Sequence, residues 1–419
     1  MTSFFKSLLN KLQLPSVILW LQILNFKNYV NNLFSTTKIY KNNEISSGKV
    51  ALIALFEKGK IRNDVKGLLI TLKNKGFNIV GVNTQKLDEE ERKYFDLYVE
   101  RFNYGRDFGS YKVGFLNLFK IKNLKLDKLL LLNDSIFYAK TNLENLIDDL
   151  CNESFDVIGA TENFEIIHHI GSFCLSISSE IFTSKRFKSY WKKFRPTDIR
   201  PHNIKYGEMY LSKALFASAR EQKKVKVLYD TKRYAGFLNS NDENVINFDK
   251  YTRKGTKWWD VGIGRAVVQN IIKRSASKAL VSTMQFDNNP GSFSFDFDID
   301  GDEYEFVDNI DGIKAFLKRV GISISEKELL RAIRQTLIFS YRDGSQIHQN
   351  FLWNLAMGCP ILKNDLVYRN VISMDDIIGL EEVMEKEDFE QYSQMILSGG
   401  GGYETLTGFK RIAFINGYL

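Results

Sequence analysis

Residues 126–137 read LDKLLLLNDSIF, an apolar run that ends in Asn133, Asp134 and Ser135 and then turns apolar again. A strand of this kind lifts its terminal carboxylate to the edge of a sheet, where open α/β folds bind ligands. The same residue types also form turns at strand ends. Asp107 stands 27 positions earlier (134 minus 107) in RFNYGRDFGSYKVG, next to Arg106 and between Gly105 and Gly109, with Asn103 just before. That interval holds one helix and one strand, so the two carboxylates fit a single site. Asp134 is then the candidate ligand of a divalent cation. Arg106 and Asp107 either contact a phosphate-bearing ligand or pair locally to cap the helix, and the two glycines permit the turn.

Further along, Glu208 in IKYGEMYLSKAL falls at the start of a predicted helix. A carboxylate is favoured there by the helix dipole alone, and a general base would also serve there. His168 and His169 are neighbours on a predicted strand, so they face opposite ways and at most one enters a cleft. His169 is the candidate for an acceptor or phosphate contact. His348, in DGSQIHQNFLWNLAMGCPILKNDLVYRN, either binds phosphate or packs on Trp353. DFDIDG at 296–301 matches the first half of a calcium loop, but Val307 stands where the bidentate Glu belongs, so an Asp-Gly hairpin turn is the better reading.

The elements that must hold these groups alternate. KVALIALF (49–56) and NIVGVN (78–83) read as strands, joined by a helix that stops at Gly76. A charged helix DEEERKYFDLY, a strand at 97–102 and the helix opened by NYGRDFG follow. After strand 126–133 come a helix over TNLENLIDDL, strands FDVIGAT and GSFCLSIS, and a helix over SSEIFTSKRFKSYWKKF. This alternation predicts an α/β sheet with helices on its faces. Beyond residue 255 the sequence is mainly helical, with a hairpin near 293–307 and a glycine run, SGGGGYETL. The expected domains are an amphipathic appendage 1–45, an α/β domain 46–254 and a helical region 255–419.

The chain has 419 residues, 44% hydrophobic, with a net charge of +8 and a pI near 9.0, which favours anionic partners without choosing among them. Cys151, Cys174 and Cys359 are odd in number and far apart, which argues against a disulfide framework or zinc ribbon and for a reducing cytoplasm. No window holds the roughly 18 apolar residues of a spanning helix. The first residues mix Phe4, Phe5, Leu8, Leu9 and Leu12 with Lys6 and Lys11 at helical spacing. This suits either a helix lying on a membrane surface or one docked on the protein's own body.

Taken together, RFNYGRDFGSYKVG and LLLLNDSIF resemble the layout of GT-A nucleotide-sugar transferases. NYGRDFGSY, LLLLNDSIF, HHIGSFCLSISSEIFTSKRFKSYW, KYGEMYLSKAL and DGSQIHQNFLWNLAMGCPILKNDLVYRN, in that order, resemble the rhamnan synthesis F family of bacterial polysaccharide glycosyltransferases. The resemblance implies a GT-A-like, Rossmann-type sheet and inverting transfer of a sugar, commonly a deoxyhexose such as rhamnose. The donor would be a nucleotide-diphosphate sugar and the acceptor a growing surface glycan; a lipid-linked acceptor at the inner membrane leaflet suits the basic charge. On this resemblance Asn103, Gly105, Arg106, Asp107, Asn133, Ser135 and His348 bind the donor, Asp134 holds Mg or Mn, and Glu208 with His169 serves the acceptor. Asn-Asp-Ser departs from a pair of acids around one residue. The alternative is a non-catalytic glycan-assembly scaffold. Nucleic-acid binding rests on charge alone and ranks last.

Overall fold

The computed structural model describes residues 2–45, 47–253, 262–283, 308–399 and 405–419, with side chains described from residue 13 onward except within 276–283. Its strands are β1 (Lys38–Lys41), β2 (Ser47–Leu55), β3 (Phe77–Asn83), β4 (Leu97–Glu100), β5 (Lys125–Asn133), β6 (Ile136–Tyr138), β7 (Val157–Gly159), β8 (Glu162–Asn163), β9 (His169–Ile170), β10 (Cys174–Ser178), β11 (Val225–Val227) and β12 (Ile361–Lys363). Eight of them form one mixed, mostly parallel sheet in the order β1-β4-β3-β2-β5-β10-β7-β11. The run β4-β3-β2-β5 is parallel, β10 runs against both neighbours, and β1 runs against β4.

Helices α1 (Thr2–Phe34), α2 (Asn63–Asn74), α3 (Glu89–Arg92), α4 (Arg106–Leu118) and α5 (Leu143–Leu150) are interspersed with the first strands along the chain. The central strands are apolar without alternation because both faces are covered. On one face Val50, Leu52, Val80, Val82, Leu129 and Leu131 pack with Tyr111 and Phe115 of α4 and with Trp191. The rings of Phe115 and Trp191 stack at 4.6 Å. A Cβ on Gly114 would lie 2.3 Å from Leu52 Cδ1, so α4 reaches the sheet this closely only with glycine there. From β2 the chain steps outward to β3 and β4 and then returns past β2 to β5. The strand order therefore reverses between β2 and β5, and a crevice is expected outside their carboxyl ends.

Two predicted helices are cut short. The charged stretch after residue 88 makes only the single turn α3, because Phe95 is buried and the Asp96 carboxylate accepts the Ile79 N–H (2.7 Å), which ties the chain to the sheet. The helix predicted over 178–194 breaks at Ser184, whose hydroxyl caps a new helix by accepting the Phe187 N–H.

The expected linear division gives way to an interleaved one. One compact unit comprises Met1–Leu228, Cys359–Asn370 and Glu385–Leu419, and the other comprises Tyr229–Gly358 and Val371–Met384. Long-range pairing draws the later segments into the first unit. β12 pairs with β6, and the Asp388 carboxylate accepts the N–H groups of Lys140 (2.7 Å) and Thr141 (3.0 Å). The appendage expected at 1–45 is part of this unit too, since Val17 and Leu21 bury against Ala413 and β1 joins the sheet. On the other side of α1, Leu19, Ile23, Phe26 and Leu33 are exposed. The side chains of Phe4, Phe5, Lys6, Leu8, Leu9, Lys11 and Leu12 lie outside the described ones. Among the described residues no helix is long and apolar enough to cross a membrane.

The second unit is helical and is built around Tyr234, Tyr341 and Trp353, with the two tyrosine rings stacked at 4.2 Å. DFDIDG, Val307 and the hairpin expected at 293–307 lie outside the described residues, as do residues 400–404 of the glycine run. Cys151, Cys174 and Cys359 form no disulfide among the described residues.

Candidate functional site

Asp134 follows β5 at the point of strand-order reversal. Its N–H donates to the Ala54 carbonyl (3.1 Å), and its Oδ2 accepts the N–H of Phe56, the first residue after β2. One carboxylate thus bridges the ends of the two central strands. Burial, with the Glu57 carboxylate alongside, pushes the Asp134 carboxyl up to about 8, against the pull of the Phe56 N–H. Burial likewise raises Glu57, against the attraction of Arg62. Arg62 pairs with Asp64 through two 2.9 Å contacts, lies 3.7 Å from Glu57, and donates to the carbonyls of Asp134 and Ile136. A single guanidinium therefore serves three neighbouring acids. Phe56 itself is exposed.

The 102–106 loop is built round a buried arginine. Arg101 donates to the carbonyls of Phe102, Tyr104 and Arg106 and to Ser110 Oγ. Burial brings its pKa down to about 10, opposed by Asp107 and Asp198. Gly105 is left-handed (φ +82°), and a Cβ there would stand 2.3 Å from Pro196 Cβ; a Cβ on Gly109 would stand 2.4 Å from the Tyr104 oxygen. The Gly105 N–H donates to Asp198 Oδ1 (2.7 Å), and the Arg106 Nε donates to the Asp198 carbonyl (3.0 Å). Asp198 is in turn gripped by Asn25 and Asn28 of α1. Asn103 and Arg106 are exposed. Asp107 accepts from the Asn133 amide (2.8 Å), which joins the loop to the end of β5. Loss of hydration raises the Asp107 carboxyl, with Lys363 and Arg106 pulling it back.

Glu208 lies within a π-helical turn, Asn203–Met209, that continues into helix Tyr210–Phe216, and so not at a helix start as the sequence suggests. Single π turns of this kind recur at functional sites. The Tyr190 hydroxyl shares its proton between the carbonyls of Tyr206 and Gly207 in this turn. Glu208 Oε2 is 3.5 Å from His169 Nε2, and the other ring nitrogen, Nδ1, donates to the Ile167 carbonyl (2.8 Å). Burial disfavours the charged imidazole, but Glu208 and the Ile167 carbonyl outweigh it and raise the pKa of His169. Its neighbour His168 turns outward to Glu162. Glu208 is close enough for its charge to act on Asp107.

Ser135 donates to Asn133 Oδ1 (2.7 Å) and accepts from the Lys363 ammonium (2.8 Å), and Asn364 of the same segment donates to the Asp134 carbonyl. His348 belongs to the second unit, where its Nδ1 meets the Ser345 hydroxyl. Glu57, Arg62, Asp64, Arg101, Asp198 and Lys363 were not singled out by spacing or motif. Glu57 and Arg62 had one usable signal, their place just after the apolar strand 49–55.

These groups do not suit the Mg or Mn ion expected at Asp134. An ion held by one carboxylate and substrate phosphates needs several oxygen ligands, and at Asp134 only Oδ1 is open to it. Asp134 Oδ2 is already occupied by the Phe56 N–H, the Asn133 amide is turned toward Asp107, and an ammonium occupies the position of a second acid, at Ser135. Among the described residues no three His, Cys, Asp or Glu side chains are grouped to hold an ion.

A hollow of about 470 Å³ opens at the carboxyl ends of β3 and β4, with Thr84, Gln85, Glu100, Arg101 and Phe102 in its wall. Strands stand about 4.8 Å apart, so the ends of β3 and β5 are about 10 Å apart with β2 between them.

Residues 78–247 match the family described as rhamnan synthesis protein F, the family that the motifs resemble. The chain is 27% identical over 175 residues to an uncharacterized protein, y4gN, of Sinorhizobium fredii, covering 40% of this chain and 45% of that one. It is 33% identical over 96 residues to virulence protein VirA of Vibrio anguillarum, covering 22% of this chain and 30% of that one. The chain thus spans less than half the length of these curated relatives.

Proposed function

We propose, from the match of residues 78–247 to the rhamnan synthesis F family, that this chain is a GT-A-like glycosyltransferase of polysaccharide synthesis. It moves a sugar, a deoxyhexose such as rhamnose, from a nucleotide-diphosphate donor to a growing, lipid-linked surface glycan, with inversion. The observation that carries the reading is the cluster of acids at the strand-order reversal, where Asp134 bridges β2 and β5 with its carboxyl pushed up to about 8. Perturbed acids in a cleft at the carboxyl edge of a sheet are the usual mark of a working site.

In this reading the nucleoside enters the hollow beside Arg101 and Phe102, and Phe56 offers an aromatic face to the base. The loop at Gly105 and Arg106 holds the diphosphate. Asp134 Oδ1, which carries no hydrogen bond among the described residues, receives a donor hydroxyl. Glu208, oriented by His169, takes the proton of the acceptor hydroxyl, and the acceptor oxygen forms the new bond to the anomeric carbon. The old carbon–oxygen bond breaks, and its electron pair leaves with the diphosphate. The exposed Leu19, Ile23, Phe26 and Leu33 of α1 support approach to a membrane-borne acceptor.

A thermal-shift screen of nucleotide-diphosphate sugars with and without manganese tests the reading. A true donor raises the melting temperature as its concentration rises, and a panel that moves nothing counts against it.

A further inference from the structure

Building on the glycosyltransferase reading, we propose that the Lys363 ammonium stands where a divalent cation would otherwise sit on the donor diphosphate, so that this chain binds and expels a nucleoside diphosphate without metal. β12 lies antiparallel to β6 with Lys363 opposite Ile136, two residues beyond Asp134. The segment is pinned there, since the Asn364 N–H donates to the Ser135 carbonyl and its side-chain amide donates to that of Asp134. An ammonium has three donors. That of Lys363 gives one, to Ser135 Oγ at 2.8 Å, and lies 4.8 Å from the centre of the Phe173 ring. Its remaining donors have no partner among the described residues. The side chain is half-buried, so its charge is only partly hydrated and an anion would be held strongly.

The surrounding charges point to the same ligand. Arg106 lies within electrostatic reach of Arg200, and both act on Arg369, which burial and these two like charges push downward. Asp107, Asp198 and Asp365 also act on Arg106, and a bound dianion would add to their attraction for the arginines. The step balances without an ion. As the sugar–oxygen bond breaks, the leaving diphosphate gains one negative charge, and Lys363 and Arg106 meet it with N–H donors while giving up no proton.

Titration calorimetry of the full chain with UDP, GDP and dTDP, in EDTA and then in manganese or magnesium, tests this. At least one diphosphate should bind in EDTA, with metal changing its affinity by less than about threefold. Lys363→Met should weaken that binding roughly 10- to 100-fold, the loss of one hydrogen bond to a charged group, while Lys363→Arg retains most of it. A lysine that merely braced β12 would lower the melting temperature in Lys363→Met and leave diphosphate affinity alone, which would overturn the proposal. Binding that appears only with added metal and ignores Lys363→Met would also overturn it and leave the transferase reading standing. No binding of any of the three in either buffer would sink both. The wild-type comparison with and without metal decides even if Lys363→Met fails to fold.

Discussion

In the second unit, Arg253 lies buried against Asp376. It gives Nε and Nη2 to the carboxylate, Nη1 to the His348 carbonyl and Nη2 also to the Val371 carbonyl, while the Ser373 N–H also donates to Asp376. In the first unit, Arg62 faces Asp64, Glu57 and the Asp134 strand end, and Glu57 Oε1 is buried without a hydrogen bond. The first arrangement is closed, with one cation, one anion and the remaining donors satisfied by backbone. The second carries more acid than base, and burial, with the neighbouring acids adding to it, raises two carboxyls. A closed buried pair fixes a fold. An unbalanced one at a sheet edge keeps a free energy that a ligand can use.

If that contrast is sound, substitutions should separate into two kinds. The largest effect is expected at the acceptor side, where Glu208→Gln should lower turnover roughly 100- to 10,000-fold with donor affinity unchanged. Steady-state kinetics checks this, and a loss confined to donor affinity would move Glu208 to the other subsite. In the closed pair, Asp376→Ala leaves Arg253 buried and unmatched and should cost about 3–5 kcal/mol of stability, read from urea unfolding. Gly105→Ala should cost about 1–3 kcal/mol, because φ is +82° and Pro196 blocks the Cβ. A variant as stable as wild type would show that Pro196 and the left-handed turn do not hold the 102–106 loop.

The smallest expected effect is a pH dependence. The folded pKa of His169 is raised, so the stability it contributes is fully present below its ordinary value of 6.5 and is lost as pH rises through the folded value. Melting temperatures taken across that range should fall for wild type, and this component of the slope should vanish in His169→Gln. An unchanged slope in the variant would place the effect elsewhere.

The sheet was legible because its strands are unbroken apolar runs and α2 stops at Gly76, whose φ is +77°. Asp107, Asp134, His169 and Glu208 could be picked out because each stands where a strand or helix changes. What joins them was not legible. Lys363 lies 228 positions from Ser135, and Asp198 lies 93 from Gly105. No local pattern records such pairings, since only the fold makes them neighbours. The grip of Asn25 and Asn28 on Asp198 was hidden for the same reason, and it ties an apparent appendage to the 102–106 loop. The break at Ser184 and the π turn at Glu208 depend on hydrogen bonds that helical periodicity does not encode.

The most direct measurement is nucleoside diphosphate release from a panel of nucleotide sugars by wild type and Asp134→Asn, with melting temperatures taken in parallel. The account predicts that wild type turns over at least one donor and that Asp134→Asn loses roughly 100- to 1,000-fold of that rate. The variant should melt no lower, since Asn can still accept the Phe56 N–H and a buried acid is removed. Equal turnover by the two proteins, or release from no donor at all, would contradict it.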